Sequence, residues 1–239
     1  MSVKNPNASK IEELRRQVQA AQQEFVMATV FHETWKPLAF DGELHKRMGV
    51  SFATNTFRVI GAALRREMLL ALARLWDTDS RAVRMKHIAD LLRDQAVIKA
   101  LVLERANGKE TLLEPHLKYE INSGASEVIE LVDQYSNGGL RQNILEKVLK
   151  LRHERLAHRN VKAEAEASLD ADDGDVETFF QHNAKLIQLL LHIVSGIGYD
   201  PNDTAEVYGL HAKLFWAGVR GERTEGHPNF RPVPVMPAK

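Results

Sequence analysis

Six consecutive residues, His153-Glu154-Arg155-Leu156-Ala157-His158, crowd two imidazoles, a carboxylate and a guanidinium into one short stretch. The stretch looks at first like a zinc-protease signature, but the spacing argues against it. A zinc-binding helix presents histidines four apart on one face; His153 and His158 are five apart and point about 140° away from each other. On a helical wheel of Leu140–His158, Ile144, Leu145, Val148, Leu149 and Leu156 define an apolar arc of about 140°. Asn143, Glu146, Lys147, Lys150 and Glu154 lie opposite. Arg152 falls near the centre of the apolar arc, Arg155 and Arg159 fall inside it, and His158 sits at its edge. A guanidinium cannot lie unpaired in a core, because removing it from water is expensive. Three arrangements meet that constraint. The arginines snorkel or pair with core carboxylates such as Glu67 or Asp77; the helix frays near Ala157; or this end of the arc opens onto a cleft or subunit interface that holds an anion. Arg152 and His158 are about 120° apart on an ideal helix, so they meet only if the helix bends or ends.

The elements that must position these residues are helical. Lys10–Trp35 keeps Leu14, Val18, Ala21, Phe25 and Ala28 on one face, with Ser9 placed as an N-cap, and Pro37 and Gly42 punctuate the next stretch. Ser51–Asp77 is apolar nearly all round, which predicts a central, most-buried helix packed on several sides. Ala82–Arg93 and Ala96–Arg105 come next. Leu112–Gly124 is ambiguous, broken by Pro115 and by Asn122-Ser123-Gly124. Ala125–Tyr135 stops at Asn137-Gly138-Gly139; Leu140–His158, Val176–Ile197 and Thr204–Val219 complete the set, with Gly198 and Pro201 closing the penultimate helix. The expectation is an all-α bundle of long antiparallel helices: one helical domain over 1–220 and an irregular Pro/Gly-rich tail over 221–239.

Composition narrows the function classes. A chain of 239 residues, 44% hydrophobic, can bury a substantial core. It contains no cysteine, which excludes thiolate chemistry and disulfides and suits a reducing compartment. The start, Met1-Ser2-Val3-Lys4-Asn5-Pro6, has no apolar signal core, and Leu186–Ile197 is too short and polar for a bilayer span, so the expected location is cytoplasmic. No phosphate-binding glycine loop, nucleophile elbow or dinucleotide fingerprint is present, so neither a cofactor nor a metal is expected. Net charge is zero but unevenly spread: seven Lys/Arg and two acids lie between Arg141 and Lys162, then seven acids between Glu164 and Glu177. That acidic run reads as a solvated loop, or as a built-in competitor whose carboxylates occupy phosphate positions.

At Leu151-Arg152-His153-Glu154-Arg155-Leu156-Ala157-His158 the sequence resembles the HEPN superfamily. The signature of that superfamily is an Arg followed by a polar residue and, after an interval, a His. Arg81…His87 and Arg220…His227 also fit the signature, but only Arg152…His158 ends a long helix beside a buried arginine. The wider wording is similar to the abortive-infection U-type (AbiU-like) branch: a long first helix, then an apolar helix ending Arg74-Leu75-Trp76-Asp77, then the motif, over roughly 10–197. An acid often comes shortly after the motif His in such proteins; here Asn160 stands there, leaving Asp170 or Asp172 to serve in its place.

The resemblance implies a bundle that dimerises with two motifs facing across a cleft, and a metal-independent ribonuclease chemistry. Arg152 and His158 would be catalytic; Arg155, Arg159 and His153 would bind substrate. A near-neutral histidine can take the 2′-hydroxyl proton or protonate the leaving 5′-oxygen, and an arginine can grip the phosphate. Three functions compete: an RNA-cleaving toxin or phage-defence effector with an antitoxin-type protein partner, a non-catalytic module binding RNA, nucleotide or a protein, and a structural helical protein.

Overall fold

The computed structural model describes residues 6–50, 52–106, 114–136, 138–157, 172–219 and 221; of 153–157 it describes the helical backbone. The described residues are all-α, as expected. The helices are α1 (Pro6–Phe40), α2 (Gly42–Met48), α3 (Phe52–Arg74), α4 (Met85–Arg93), α5 (Gln95–Arg105), α6 (Glu114–Asp133), α7 (Gln142–Ala157), α8 (Asp173–Leu190) and α9 (Pro201–Ala217), with a π-helical turn at Leu191–Ser195. Among these residues the sole β-type pairing is an isolated bridge between Trp76 and Arg84. None of the described helices is long and apolar enough to cross a membrane.

Two compact units divide the chain, each built from two separate stretches: residues 1–28 with 69–202, and 29–68 with 203–239. In the first, α6 packs against α4, α5 and α8, and α7 packs on α8. Leu14, Val18, Ala21 and Phe25 are buried as the period of α1 predicts. In the second, Leu38, Leu44, Met48, Phe57, Ala212 and Trp216 form the core. Trp216 donates its indole N–H to the Thr34 carbonyl at 3.0 Å and meets Phe57 edge-on.

Several boundaries differ from the sequence reading, each for a local reason. Ser9 does not cap α1, which already begins at Pro6. Pro37 does not stop it: the Asp41 N–H bonds the Pro37 carbonyl, and burial of Trp35 and Leu38 offsets the roughly 3 kcal/mol that an interior proline costs. The central-helix reading of Ser51–Asp77 holds for its second half alone. Met68 to Ala73, Leu75 and Trp76 are buried, whereas Phe52, Val59 and Ile60 are exposed. Ala82–Arg84 precedes α4 as an extended strap rather than its first turn.

The ambiguous stretch is helix from Glu114 onward. Pro115 sits in the first turn of α6, where its missing N–H costs nothing. Asn122-Ser123-Gly124 lies inside the helix, and Gly124 has a packing reason: a Cβ there would stand 2.5 Å from the Ile193 side chain. The last long helix gives way to the π-turn and closes at Gly196, left-handed at φ 69°, so Gly196 rather than Gly198 terminates it. Pro201 opens α9 instead of marking its predecessor's end.

Candidate nucleic-acid interface

Helix α7 carries the row Ile144, Val148, Arg152, spaced i, i+4, i+8 on one face. Ile144 and Val148 are buried, while Asn143, Glu146 and Lys150 are exposed, as the wheel requires. Arg152 therefore continues a core row, and it meets a carboxylate: its Nη2 donates to Asp77 Oδ2 at 2.5 Å. The side chains are 23% and 14% exposed, so the pair is neither solvated nor sealed. Glu67, the other acid considered, contacts Arg66 instead.

Asp77 is held on both oxygens. Its Oδ1 accepts the Thr78 and Asp79 N–H groups at 2.7 and 3.1 Å, which leaves Oδ2 for Arg152. Burial pushes its pKa up, but the bonds from the Asp79 N–H, Arg152 and the Thr78 N–H outweigh that and hold it below the ordinary carboxylate value. Asp77 thus stays ionised and fixes the direction in which Arg152 points.

Beside this pair lies a cleft of about 340 Å³, lined by Arg16, Gln17, Gln23, Glu24, Arg74, Asp77, Arg81 and Arg152, with Ala20, Ala82 and Val83 as small apolar walls. Three helices bring arginines to it. α1 supplies Arg16, α3 supplies Arg74 and α7 supplies Arg152; Arg81 comes from the turn before the strap. Buried Gln17 anchors that strap, accepting the Arg84 N–H at 3.1 Å and donating to the Ala82 carbonyl at 3.3 Å.

Asp77 owes its place to the preceding residue. Trp76 is buried against Tyr135 and Phe179, with ring centroids 5.3 and 6.0 Å away. Its indole N–H donates to Asn183 Oδ1 at 2.9 Å, and Asn183, fully buried, donates in turn to the Phe179 carbonyl. Behind it Tyr135 and His182 share a hydrogen bond of 2.8 Å. Burial and the Arg141 charge lower the His182 pKa from 6.5, and burial pushes Tyr135 up to about 12, so the bond joins a neutral phenol to an imidazole that resists protonation. A histidine harder to protonate when folded contributes stability above its unfolded pKa and loses it as pH falls below that value. Melting temperature is therefore expected to drop between about pH 7 and pH 5, and His182→Gln is expected to flatten that drop. An unchanged slope in the variant would remove His182 from the account.

The remaining motif residues are divided. His153 and Arg155 belong to the helical backbone of α7, their side chains outside the described residues; His158, Arg159, Asn160 and Asp170 lie outside them altogether. Asp172 is the N-cap of α8, accepting the Asp175 N–H at 2.7 Å. Asp173 and Asp175 occupy the first turn, and Asp175 faces Lys147 at 3.6 Å. The end of the acidic run is accordingly a helix start with acids suited to its dipole, not a loop. Of the other two Arg/His pairs, His87 faces Glu13 at 3.3 Å, Arg220 and His227 are outside the described residues, and Arg81 lines the cleft. Motif spacing admits Arg81 and helix context sets it aside; neither finds Arg16 or Arg74. A signal for Arg16 is present, since Arg16, Ala20 and Glu24 repeat every fourth residue along α1.

A helical chain with its motif arginine at the wall of an arginine-lined cleft agrees with a match between residues 11–215 and the HEPN_AbiU2 family, described as AbiU2. The chain belongs to the AbiU2 family of HEPN proteins. The match spans Arg74-Leu75-Trp76-Asp77 and Arg152…His158 together, and the ion pair of Arg152 with Asp77 links those two stretches in this AbiU2-family fold. No curated protein and no solved structure matches the chain.

Proposed function

We propose that this AbiU2-family protein is a metal-independent endoribonuclease of HEPN type, acting as a toxin or phage-defence effector in the cytoplasm. The observation that carries this reading is the setting of Arg152: charged, oriented by Asp77 and on the wall of a cleft. Arg152 neutralises the phosphate as charge builds in the transition state. His158 moves the proton, taking it from the 2′-hydroxyl so that the 2′-oxygen attacks phosphorus. The 5′-oxygen leaves with a proton, giving a 2′,3′-cyclic phosphate and a 5′-hydroxyl. Arg155, Arg159 and His153 hold the flanking strand. The family match runs through both units, which supports the reading of 1–220 as one HEPN-like domain.

A homodimer completes the proposal. Two-fold pairing of the motif supplies two histidines, one as base and one as acid, with Arg152 and His158 near the axis; an antitoxin-type protein would cover them. Light scattering at micromolar concentration is expected to give the mass of a dimer, and a strictly monomeric mass would count against this arrangement. The catalytic reading is tested by incubating the full chain with labelled RNA in EDTA. Cleavage to cyclic-phosphate ends by wild type, and its loss in His158→Ala, is the expected result. The alternative, a non-catalytic module binding RNA, nucleotide or a protein partner, is favoured by Asn160 standing where an acid is usual. It predicts intact RNA in both tubes.

A further inference from the structure

We propose that the cleft beside Arg152 is a phosphodiester-binding track, seating an RNA strand through Arg16, Arg74 and Arg81, none of which belongs to the Arg152…His158 motif. The inference rests on the reading of Arg152 as RNA-facing. Four guanidinium groups line the cleft with two carboxylates, Glu24 and Asp77, a local concentration of arginine in a protein whose net charge is zero. With no net charge to draw polyanions to the whole chain, an anion is held here by guanidinium donors aimed at one place rather than by diffuse attraction.

Each guanidinium is steered by a carboxylate without being used up. Arg74 donates through Nε to Glu24 at 2.7 Å. Arg81 is gripped by Asp79 through Nε at 3.1 Å and Nη2 at 2.8 Å, and Arg16 approaches Glu13 at 3.5 Å. A guanidinium has five N–H donors in a planar fork, so every one of these arginines keeps donors beyond those its carboxylate accepts. Exposed ion pairs of this kind contribute little stability, and a phosphate that accepts two parallel N–H bonds competes well with them. The apolar walls, Ala20, Ala82 and Val83, are small and let a backbone approach. A volume of about 340 Å³ is at the low end for ligand sites and has room for about one nucleotide.

The test is equilibrium binding of the full chain to a short fluorescent 2′-O-methyl oligoribonucleotide, which cannot be cleaved through its 2′-oxygen. Arg16 and Arg81 side chains are 74% and 88% exposed, so Arg16→Ala/Arg81→Ala should fold, as a melting curve will verify. The expected result is about tenfold weaker binding, with the slope of log affinity against log salt shallower by about 1.4, two contacts at about 0.7 each on a single strand. Arg15→Ala/Arg93→Ala removes the same charge from the same unit outside the cleft, and is expected to leave the slope as in wild type. Equal losses in both double variants, or no oligonucleotide binding by wild type, would overturn the track. The two readings fail separately. If RNA survives in EDTA while the oligonucleotide binds through Arg16 and Arg81, the nuclease reading falls and the track stands. If Arg152→Ala abolishes cleavage while Arg16→Ala/Arg81→Ala binds like wild type, the track falls alone.

Discussion

Arg152→Ala is expected to slow RNA cleavage by about two to three orders of magnitude, the usual effect of removing one oriented donor from a developing oxyanion. The folded protein should survive the change, because Asp77 keeps its bonds from the Thr78 and Asp79 N–H groups. Arg152→Lys is expected to recover only part of the rate, since an ammonium keeps the charge but loses the planar fork. Asp77→Asn separates placement from charge. Asparagine has one acceptor oxygen where Asp77 uses two, so with that oxygen on the Thr78 and Asp79 N–H groups its NH2 group meets Arg152, which keeps its charge but loses its anchor. The rate should fall less than in Arg152→Ala and KM should rise little. These comparisons are read from initial rates in EDTA with labelled RNA. Full activity in Arg152→Ala would remove the arginine from the chemistry and with it the nuclease reading of the motif.

Trp76→Ala should have the largest effect on stability. The side chain is buried against Tyr135 and Phe179, and truncating such an aromatic costs about 3–5 kcal/mol. That is a large share of the roughly 5–15 kcal/mol that holds a domain together. Trp76→Phe isolates the hydrogen bond: most of the packing remains, but buried Asn183 Oδ1 loses its donor, at about 1–3 kcal/mol. Adding Asn183→Leu removes the orphaned acceptor, so the double variant is expected to melt above Trp76→Phe. Additive losses in that cycle, measured by thermal or urea unfolding, would show that the bond carries no coupling.

Helix existence and the buried face of α7 were legible because both depend on periodicity alone. Arg152 in the apolar row could be read from residue types, and with it the need for an opposite charge, but residue types left Glu67 and Asp77 as equal partners and only the fold chose between them. Boundaries were less legible where tertiary packing overruled a local signal. Pro115 and Gly124 look like breakers in sequence, but one sits in a helix's first turn and the other is required by the approach of Ile193. The exposed half of α3 escaped detection because composition reports that residues are apolar, not that they are covered. The cleft was least legible of all. Arg74 and Arg81 lie in one stretch, but only the fold brings Arg16 and Arg152 to them, and no window of sequence holds all four.

Both units close on residues far apart along the chain, and this sets when the protein can fold. Lys10 pairs with Asp94 and Arg15 with Glu104, separations of 84 and 89 residues, while the Trp216–Thr34 bond spans 182. Helices α1 to α3 leave the ribosome long before the partners that bury their apolar faces exist. Loop closure over such distances costs entropy before the contacts form, so folding is expected to be slow for an all-helical chain. The second unit in particular must wait for α9. Until Trp216 has been synthesised, Leu38, Leu44, Met48 and Phe57 have no lid, and the growing chain presents that apolar surface to whatever chaperone meets it first.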